Sequence, residues 1–412
     1  MTQQNKNVPK LRFPEFSGEW DEYKLGKITQ KVGSGSTPKG GREVYQNTGI
    51  PFIRSQNVNH NKLICNDLTY IPETTHEKMK GSKVLPSDIL LNITGASIGR
   101  SCVVPSTFLE GNVNQHVCII RTIKGFQPKF IQSILSSYNG QKLIMQSQAG
   151  GGREGLNFEN VRGFKLQLPK ELEQQKIAEF LSAVDERVDG LRRKKELLEH
   201  YKKGVMQKIF SQEIRFTRPD GSAFPDWKEK KLSEIGYFYY GKGAPKSTVS
   251  DDGKTPCVRY GELYSTYAEN IKTIKSKTTA NPSSLKLSKG GEVLVPRVGE
   301  TAIDFCMCSY LPFSGVAIGE MISVFNTEEN GLFYSYYFNT LKATFARYVE
   351  GGSVSNLYFR YLEPLKIQTP QTEEQELIAD FLTSVDEKIE AVAGQLEQAQ
   401  TFKKGLLQQM FV

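Results

Sequence analysis

Side chains able to do covalent chemistry are sparse in this 412-residue chain. The four histidines, His60, His76, His116 and His200, have no Cys or Asp at the spacings of a metal site or a nucleophile triad. No metal ligand set or catalytic residue is therefore expected. A Gly-x-x-x-x-Gly-Lys-Ser/Thr loop is also missing, which argues against a nucleotide-driven motor within the chain. What the sequence does offer is polar loop side chains whose donors and acceptors suit the edges of bases, since Asn and Gln match adenine and Arg matches guanine. In the first half these are Ser34, Thr37, Arg42, Arg54, Gln56, Asn57, Thr94, Ser97, Arg100, Asn114, Gln115 and Arg153. In the second half they are Lys242, Lys246, Arg259, Tyr260, Arg297, Ser353 and Asn356.

Two further stretches invite a chemical reading. Gly150-Gly151-Gly152-Arg153 and Gly351-Gly352-Ser353-Val354-Ser355-Asn356 are either close backbone approaches to phosphate or plain connections into a strand. Tyr239-Tyr240-Gly241-Lys242-Gly243 has the aromatic-x-Gly-x-Gly spacing of a methyl-donor loop. Its counterpart Lys31-Val32-Gly33-Ser34-Gly35 lacks the aromatic residue, however, and no Asn-Pro-Pro-Tyr type tetrapeptide follows either copy. Composition sets only broad bounds. A net charge of +8 fits a polyanion partner, and 38% hydrophobic residues are enough for packed cores. The first residues lack an apolar core and no apolar run approaches membrane-spanning length, so a cytoplasmic protein is expected. The six cysteines, Cys65, Cys102, Cys118, Cys257, Cys306 and Cys308, form no Cys-x-x-Cys pair and read as reduced, half-buried strand residues.

The elements that must position these loops are built twice. Glu173-Gln174-Gln175-Lys176-Ile177-Ala178-Glu179-Phe180-Leu181 returns as Glu374-Gln375-Glu376-Leu377-Ile378-Ala379-Asp380-Phe381-Leu382. The same register pairs Tyr201 through Phe210 with Phe402 through Phe411. In each copy apolar residues alternate steps of four and three: Ile177, Leu181, Val184, Val188, Leu191 and Leu198, then Ile378, Leu382, Val385, Ile389, Val392 and Leu396. That is a heptad seam, interrupted once by Lys195 opposite Leu396. Each stripe runs for about 38 residues, roughly 57 Å of helix, which demands a long partner. Trp20 and Trp227 each open a globule, and Gly33-Ser34-Gly35 answers Gly241-Lys242-Gly243. Pro51-Phe52-Ile53-Arg54 answers Pro256-Cys257-Val258-Arg259. Between such landmarks, short β-rich runs with one or two helices, over 128–144 and 331–348, predict two related mixed globules.

The expected fold is therefore α+β, with two related β-rich domains separated by a long antiparallel coiled coil of two helices and a pseudo-two-fold axis. The expected segments are an N-terminal arm (1–18), a first globule (19–168), a first helix (169–212), a linker (213–225), a second globule (226–369) and a second helix (370–412). Two related faces on one dyad would match the dyad of a DNA duplex. The globules have diverged while the helices have not, so the globules carry what differs between two jobs.

This pattern, with Gln-Gln-Lys-Ile-Ala-Glu-Phe-Leu-Ser-Ala-Val-Asp opening one helix and Glu-Gln-Glu-Leu-Ile-Ala-Asp-Phe-Leu-Thr-Ser-Val-Asp the other, resembles the specificity subunit of type I restriction-modification enzymes across the whole chain. The resemblance implies that each globule is a target-recognition domain reading one half of a bipartite, asymmetric double-stranded DNA target, with the helices setting the gap. It implies two modification subunits that carry S-adenosylmethionine and methylate adenine, and restriction subunits driven by ATP with Mg. It implies a non-catalytic adaptor holding no cofactor of its own. Two other classes stand against it: a self-sufficient DNA methyltransferase or nuclease, which would bind S-adenosylmethionine or cut DNA alone, and a protein-protein scaffold, which would show no salt-dependent duplex binding.

Overall fold

The computed structural model describes residues 7–59, 61–148, 155–299, 301, 304–351 and 355–412. The chain divides into two units, Met1–Arg193 with Ala393–Val412, and Lys194–Val392. The two long helices, Glu171–Phe210 and Thr372–Gln409, each contribute to both units.

In the first unit an antiparallel sheet runs in the order Thr29–Ser34, Val117–Thr122, Ile89–Asn92, Ser101–Val103. A second sheet runs Thr69–Ile71, Ile50–Ile53, Gly111–Val113, Lys83–Val84, its central pair parallel. Strands Ile89–Asn92 and Val117–Thr122 are buried on both faces, which is why they read as unbroken apolar runs rather than alternating ones. Leu90, Val117 and Ile119 face a core shared with Ile53, Val84 and Val113 of the second sheet. Ile89, Leu91, Cys118 and Ile120 face the opposite way, toward Phe130, Leu135 and the long helices.

The second unit repeats this order strand for strand. One sheet runs Gly236–Tyr240, Ile322–Thr327, Glu292–Pro296, Ser309–Leu311; the other runs Ser276–Thr278, Thr255–Val258, Ser314–Ile318, Leu287–Lys289, again with a parallel central pair. Its two faces split the same way: Leu294, Ile322 and Val324 face Val258 and Ile318, whereas Val293, Val295 and Phe325 face Phe333, Phe338 and the helices. Residue pairs across the ladders fix the correspondence. Cys118 lies opposite Ser34 and Ser323 opposite Tyr240, so Gly35, rather than Gly33, is the equivalent of Gly241.

Within each unit the long helices run antiparallel. In the first, Ile177 and Leu181 share a core with Leu406, Met410 and Phe411, and Asp185 pairs with Lys403. In the second, Ile378 and Leu382 share a core with Met206 and Ile209, and Asp386 pairs with Lys202 at 2.7 Å. These ion pairs are counterparts, because Lys202 corresponds to Lys403 and Asp185 to Asp386. Among the remaining seam residues Val188, Leu191, Val385 and Val392 are buried, while Val184, Leu198, Ile389 and Leu396 are partly covered. Lys195 keeps its ammonium at the surface by pairing with Glu199, 2.5 Å away, so its stem can border the seam without a buried charge.

The opening residues of the repeated segment latch helix to globule. Glu173 takes a two-pronged contact from Arg12, 2.8 Å on each oxygen, and one from Trp20 Nε1 at 3.3 Å. Glu374 takes the same from Arg215, at 2.8 and 2.9 Å, and from Trp227 Nε1 at 3.1 Å. Beside them Gln174 donates to Pro169 O and Gln375 to Pro370 O, while their amide oxygens accept from the backbone of Gln127 and Asn330. A carboxylate in the first turn also meets the positive end of the helix dipole.

Two local expectations change. The helix expected over 128–144 is two, Pro128–Ser136 and Tyr138–Gln146, because Ser137 turns extended and caps the second through Gly140 N–H. The helix expected over 331–348 likewise breaks at Leu341, between Gly331–Thr340 and Lys342–Phe345. Cys102, Cys118 and Cys257 are buried strand residues and Cys306 and Cys308 are buried outside strands, whereas Cys65 is exposed and also lies outside any strand.

Candidate nucleic-acid interface

Because the parallel strands Ile50–Ile53 and Gly111–Val113 end side by side, the loops that follow them meet at one edge. The turns after Thr29–Ser34 and Ile89–Asn92 come to the same place. Asn114 N–H donates to Ile53 O at 3.1 Å, Gly35 N–H to Asn114 O at 3.2 Å, Ile93 N–H to His116 O at 3.0 Å, and Asn92 Nδ2 to Ser55 O at 2.9 Å. Residues 34–37, 54–57, 92–100 and 114–116, scattered in sequence, thus form one contiguous edge. Gly35 is required there: a Cβ on it would lie 1.7 Å from Val113 O.

The edge of the first unit is a chain of amides and hydroxyls. Thr37 Oγ1 donates to Gln115 Oε1 at 2.8 Å, Gln115 Nε2 lies 3.1 Å from His116 Nε2, and His116 Nδ1 lies 2.6 Å from Thr94 Oγ1. Asn114 Oδ1 accepts from His116 N–H, and Ser97 Oγ accepts from Asn92 Nδ2. Arg100 is exposed and, among the described residues, makes no side-chain hydrogen bond. Arg54 is half-buried, with a covered Nε that has no partner. Other candidates are engaged at home. Asn57 is buried and spends its amide on Arg54 N–H, Ile64 O and Asp67 O; Gln56 donates to Asp67; Ser34 donates to Gly35 O. Arg153 and the side chain of Arg42 lie outside the described residues, as do Gly150 to Gly152.

The equivalent edge of the second unit has the same backbone and different chemistry. Gly319 N–H donates to Val258 O, and Arg297 N–H to Met321 O, repeating the bonds of Asn114 and Ile93. Gly241 would place a Cβ 2.2 Å from Gly319 O, as Gly35 does against Val113. Here, though, the guanidinium of Arg297 lies 4.8 Å over the Tyr240 ring, with Nη2 2.9 Å from Met321 Sδ and a buried Nε without a partner. Burial pushes the Tyr240 hydroxyl above its ordinary range, against the pull of Arg297. Lys286 stacks on Tyr239 at 4.8 Å, and Arg360 on Tyr358 and Tyr361 at 5.0 and 4.8 Å. Such cation–π pairs favour a charge over the ring face by about 0.5–1 kcal/mol each at exposed sites.

Lys242, Lys246 and Tyr260 are exposed, whereas Arg259 is tied to Glu262 through Nη2 at 3.2 Å. Asn356 pairs with Val298 and Glu350 in a small three-stranded sheet, and Ser353 lies outside the described residues. Sequence reasoning missed His116, Tyr240, Lys286, Glu320 and Arg360. The Tyr237-Phe238-Tyr239-Tyr240 run was the available signal for the aromatic edge; nothing in sequence pairs it with Arg297. Ladder register makes Glu320 and Met321 the equivalents of Gln115 and His116.

Apart from this edge, Glu73, His76 and Glu77 bring possible metal-ligand atoms within 4.8 Å of one another. Glu77 is already matched by Lys83 at 2.9 Å and Lys80 at 3.6 Å, and His76 Nδ1 is held by Asn112 Oδ1. Among the described residues no helix is long and apolar enough to cross a membrane.

The same fold is built twice, with one equivalent edge bearing amides in one copy and stacked guanidinium in the other. The chain belongs to the family described as the type I restriction modification DNA specificity domain, which matches residues 17–200 and 225–401. A protein of Methanocaldococcus jannaschii, provisionally named the MjaX type I restriction enzyme specificity subunit, is 23% identical over 421 residues, spanning 98% of this chain and 95% of that one. The EcoR124I/EcoR124II specificity subunit of Escherichia coli is 25% identical over 177 residues, 42% of this chain and 43% of its own length. The crystal structure of a type I restriction-modification S subunit from M. genitalium has the same fold, with a TM-score of 0.61 at 15% identity over 98% of this chain and 99% of that one.

Proposed function

We propose that this chain is the non-catalytic DNA-recognition subunit of a cytoplasmic type I restriction-modification complex. Globule 19–168 reads one half of a bipartite, asymmetric target and globule 226–369 reads the other. The helices set the spacing and dock two modification subunits. Those subunits carry S-adenosylmethionine and methylate one adenine per strand, and ATP-driven, Mg-dependent restriction subunits complete the assembly. The observation that carries this reading is the equivalence of the two loop edges joined to the difference in their side chains: Thr37, Gln115, His116 and Thr94 in one, Tyr240, Arg297 and Glu320 in the other. One scaffold with two unlike faces suits two unlike sequences. The exposed Arg100, Lys242 and Lys246 suit phosphates.

Co-expressing the chain with its modification subunits and sequencing methylated adenine in the host genome tests the proposal. A two-part motif with a fixed gap is expected, and it disappears when this chain is left out. Methylation independent of the chain, or S-adenosylmethionine bound by the chain alone, would refute it.

A further inference from the structure

At the first edge both ends of the Gln115 amide are held from within the protein. Gln115 Oε1 accepts from Thr37 Oγ1, so its amide nitrogen faces His116 Nε2. An amide nitrogen only donates, so His116 Nε2 must accept. The other ring nitrogen, Nδ1, lies 2.6 Å from Thr94 Oγ1. Gln115 is exposed and keeps one N–H and one oxygen lone pair unspent, which is the complement of adenine N7 and N6. Its counterpart in the second unit is Glu320, also exposed, which offers acceptors only.

Building on the DNA-reading function proposed above, we infer that Gln115 reads one adenine of the half-site recognised by the first unit. Thr37 and His116 act as positioning residues that set which way its amide faces. The His116 ring is faced by Gln115 and by Thr94 of the loop after Ile89–Asn92, while its backbone N–H donates to Asn114 Oδ1. None of these is charged, and among the described residues no carboxylate or cation pairs with the ring.

Duplexes carrying each base at every position of the methylated motif, bound by the assembled complex, test this. For the wild-type chain one adenine in the first unit's half-site is preferred by roughly 10-fold or more, the scale of one bidentate base contact. Gln115→Ala flattens that preference at that position alone, while the other half-site keeps its full discrimination. Gln115→Glu moves the preference toward cytosine, whose amino group needs an acceptor. Thr37→Ser, which keeps the hydroxyl, retains the adenine preference that Thr37→Ala weakens, a pattern that loosened packing would not produce. Unchanged base preference in Gln115→Ala, with the two-part motif intact, overturns the inference and leaves the function standing. Loss of all binding in both Gln115 variants makes the residue structural and also overturns it. A wild-type complex with no sequence preference removes the underlying function itself.

Discussion

Replacing Glu374 by Gln tests whether the latch between helix and globule is a main support of the second unit. The side chain of Glu374 is fully covered, and its two oxygens receive Arg215 Nε and Nη2 and Trp227 Nε1. The amide retains one acceptor, but it points an N–H at a guanidinium N–H that has lost its charge partner. Breaking a buried ion pair costs about 3–5 kcal/mol. Arg215 is 25% exposed and regains some water, which favours the lower end, about 3 kcal/mol. In a unit of the size of Lys194–Val392 that corresponds to a fall in Tm of roughly 6–12 °C. Calorimetry gives the transition, and hydrogen exchange locates it, with protection lost in residues 194–392 first. Replacing both partners, Arg215→Met with Glu374→Leu, removes the stranded charge and is expected to recover at least half the loss. Glu173→Gln should cost the first unit at least as much, because Arg12 is only 13% exposed. A cost under about 1 kcal/mol for Glu374→Gln, or no recovery in the double replacement, refutes the reasoning.

Three further outcomes follow from the same geometry. Gly35→Ala should destabilise the first unit by about 2–3 kcal/mol because its Cβ meets an immovable carbonyl, whereas Gly33→Ala, whose Cβ meets nothing within 4 Å, stays within about 0.5 kcal/mol by denaturant titration; equal effects would contradict the ladder register. Burial opposes the charge on Glu329, yet donors from Tyr334, Gln375 and Lys230 outweigh it and hold the carboxyl below the ordinary value of 4.5. Its stabilising contribution is therefore full above that value and lost as pH falls through the lower folded-state one, so the stability gap between wild type and Glu329→Gln should close on acidification. A gap constant with pH would contradict this. Finally, inserting one heptad into both helices, between residues 188 and 200 and at the matching place in the second, adds about 10 Å and should lengthen the gap in the methylated motif by about three base pairs; an unchanged gap would remove the helices as a ruler.

The duplication, the long helices and the β-rich globules were legible in the sequence because helix seams and repeated segments are local patterns, written at fixed intervals. The same locality explains the misreadings. Gly33 and Gly35 are interchangeable to a reader of spacing, and only pairing across the ladder, Ser34 to Cys118 and Tyr240 to Ser323, decides which of them matches Gly241. The break at Ser137 is likewise set by a cap, its side chain accepting from Gly140 N–H, that helix periodicity does not contain.

For the candidate edge the sequence determined the inventory, amides and hydroxyls in one half and cations with tyrosines in the other. Tertiary structure decided which of them meet. Two parallel strands ending together carry Arg54 and Asn114 to one place, and a turn from a neighbouring strand brings Thr37 to Gln115. Hydrogen bonds act only within about 3 Å, so a side chain's role depends on neighbours that lie tens of residues away in the chain. That distance is closed by the sheets, and no sequence interval records it.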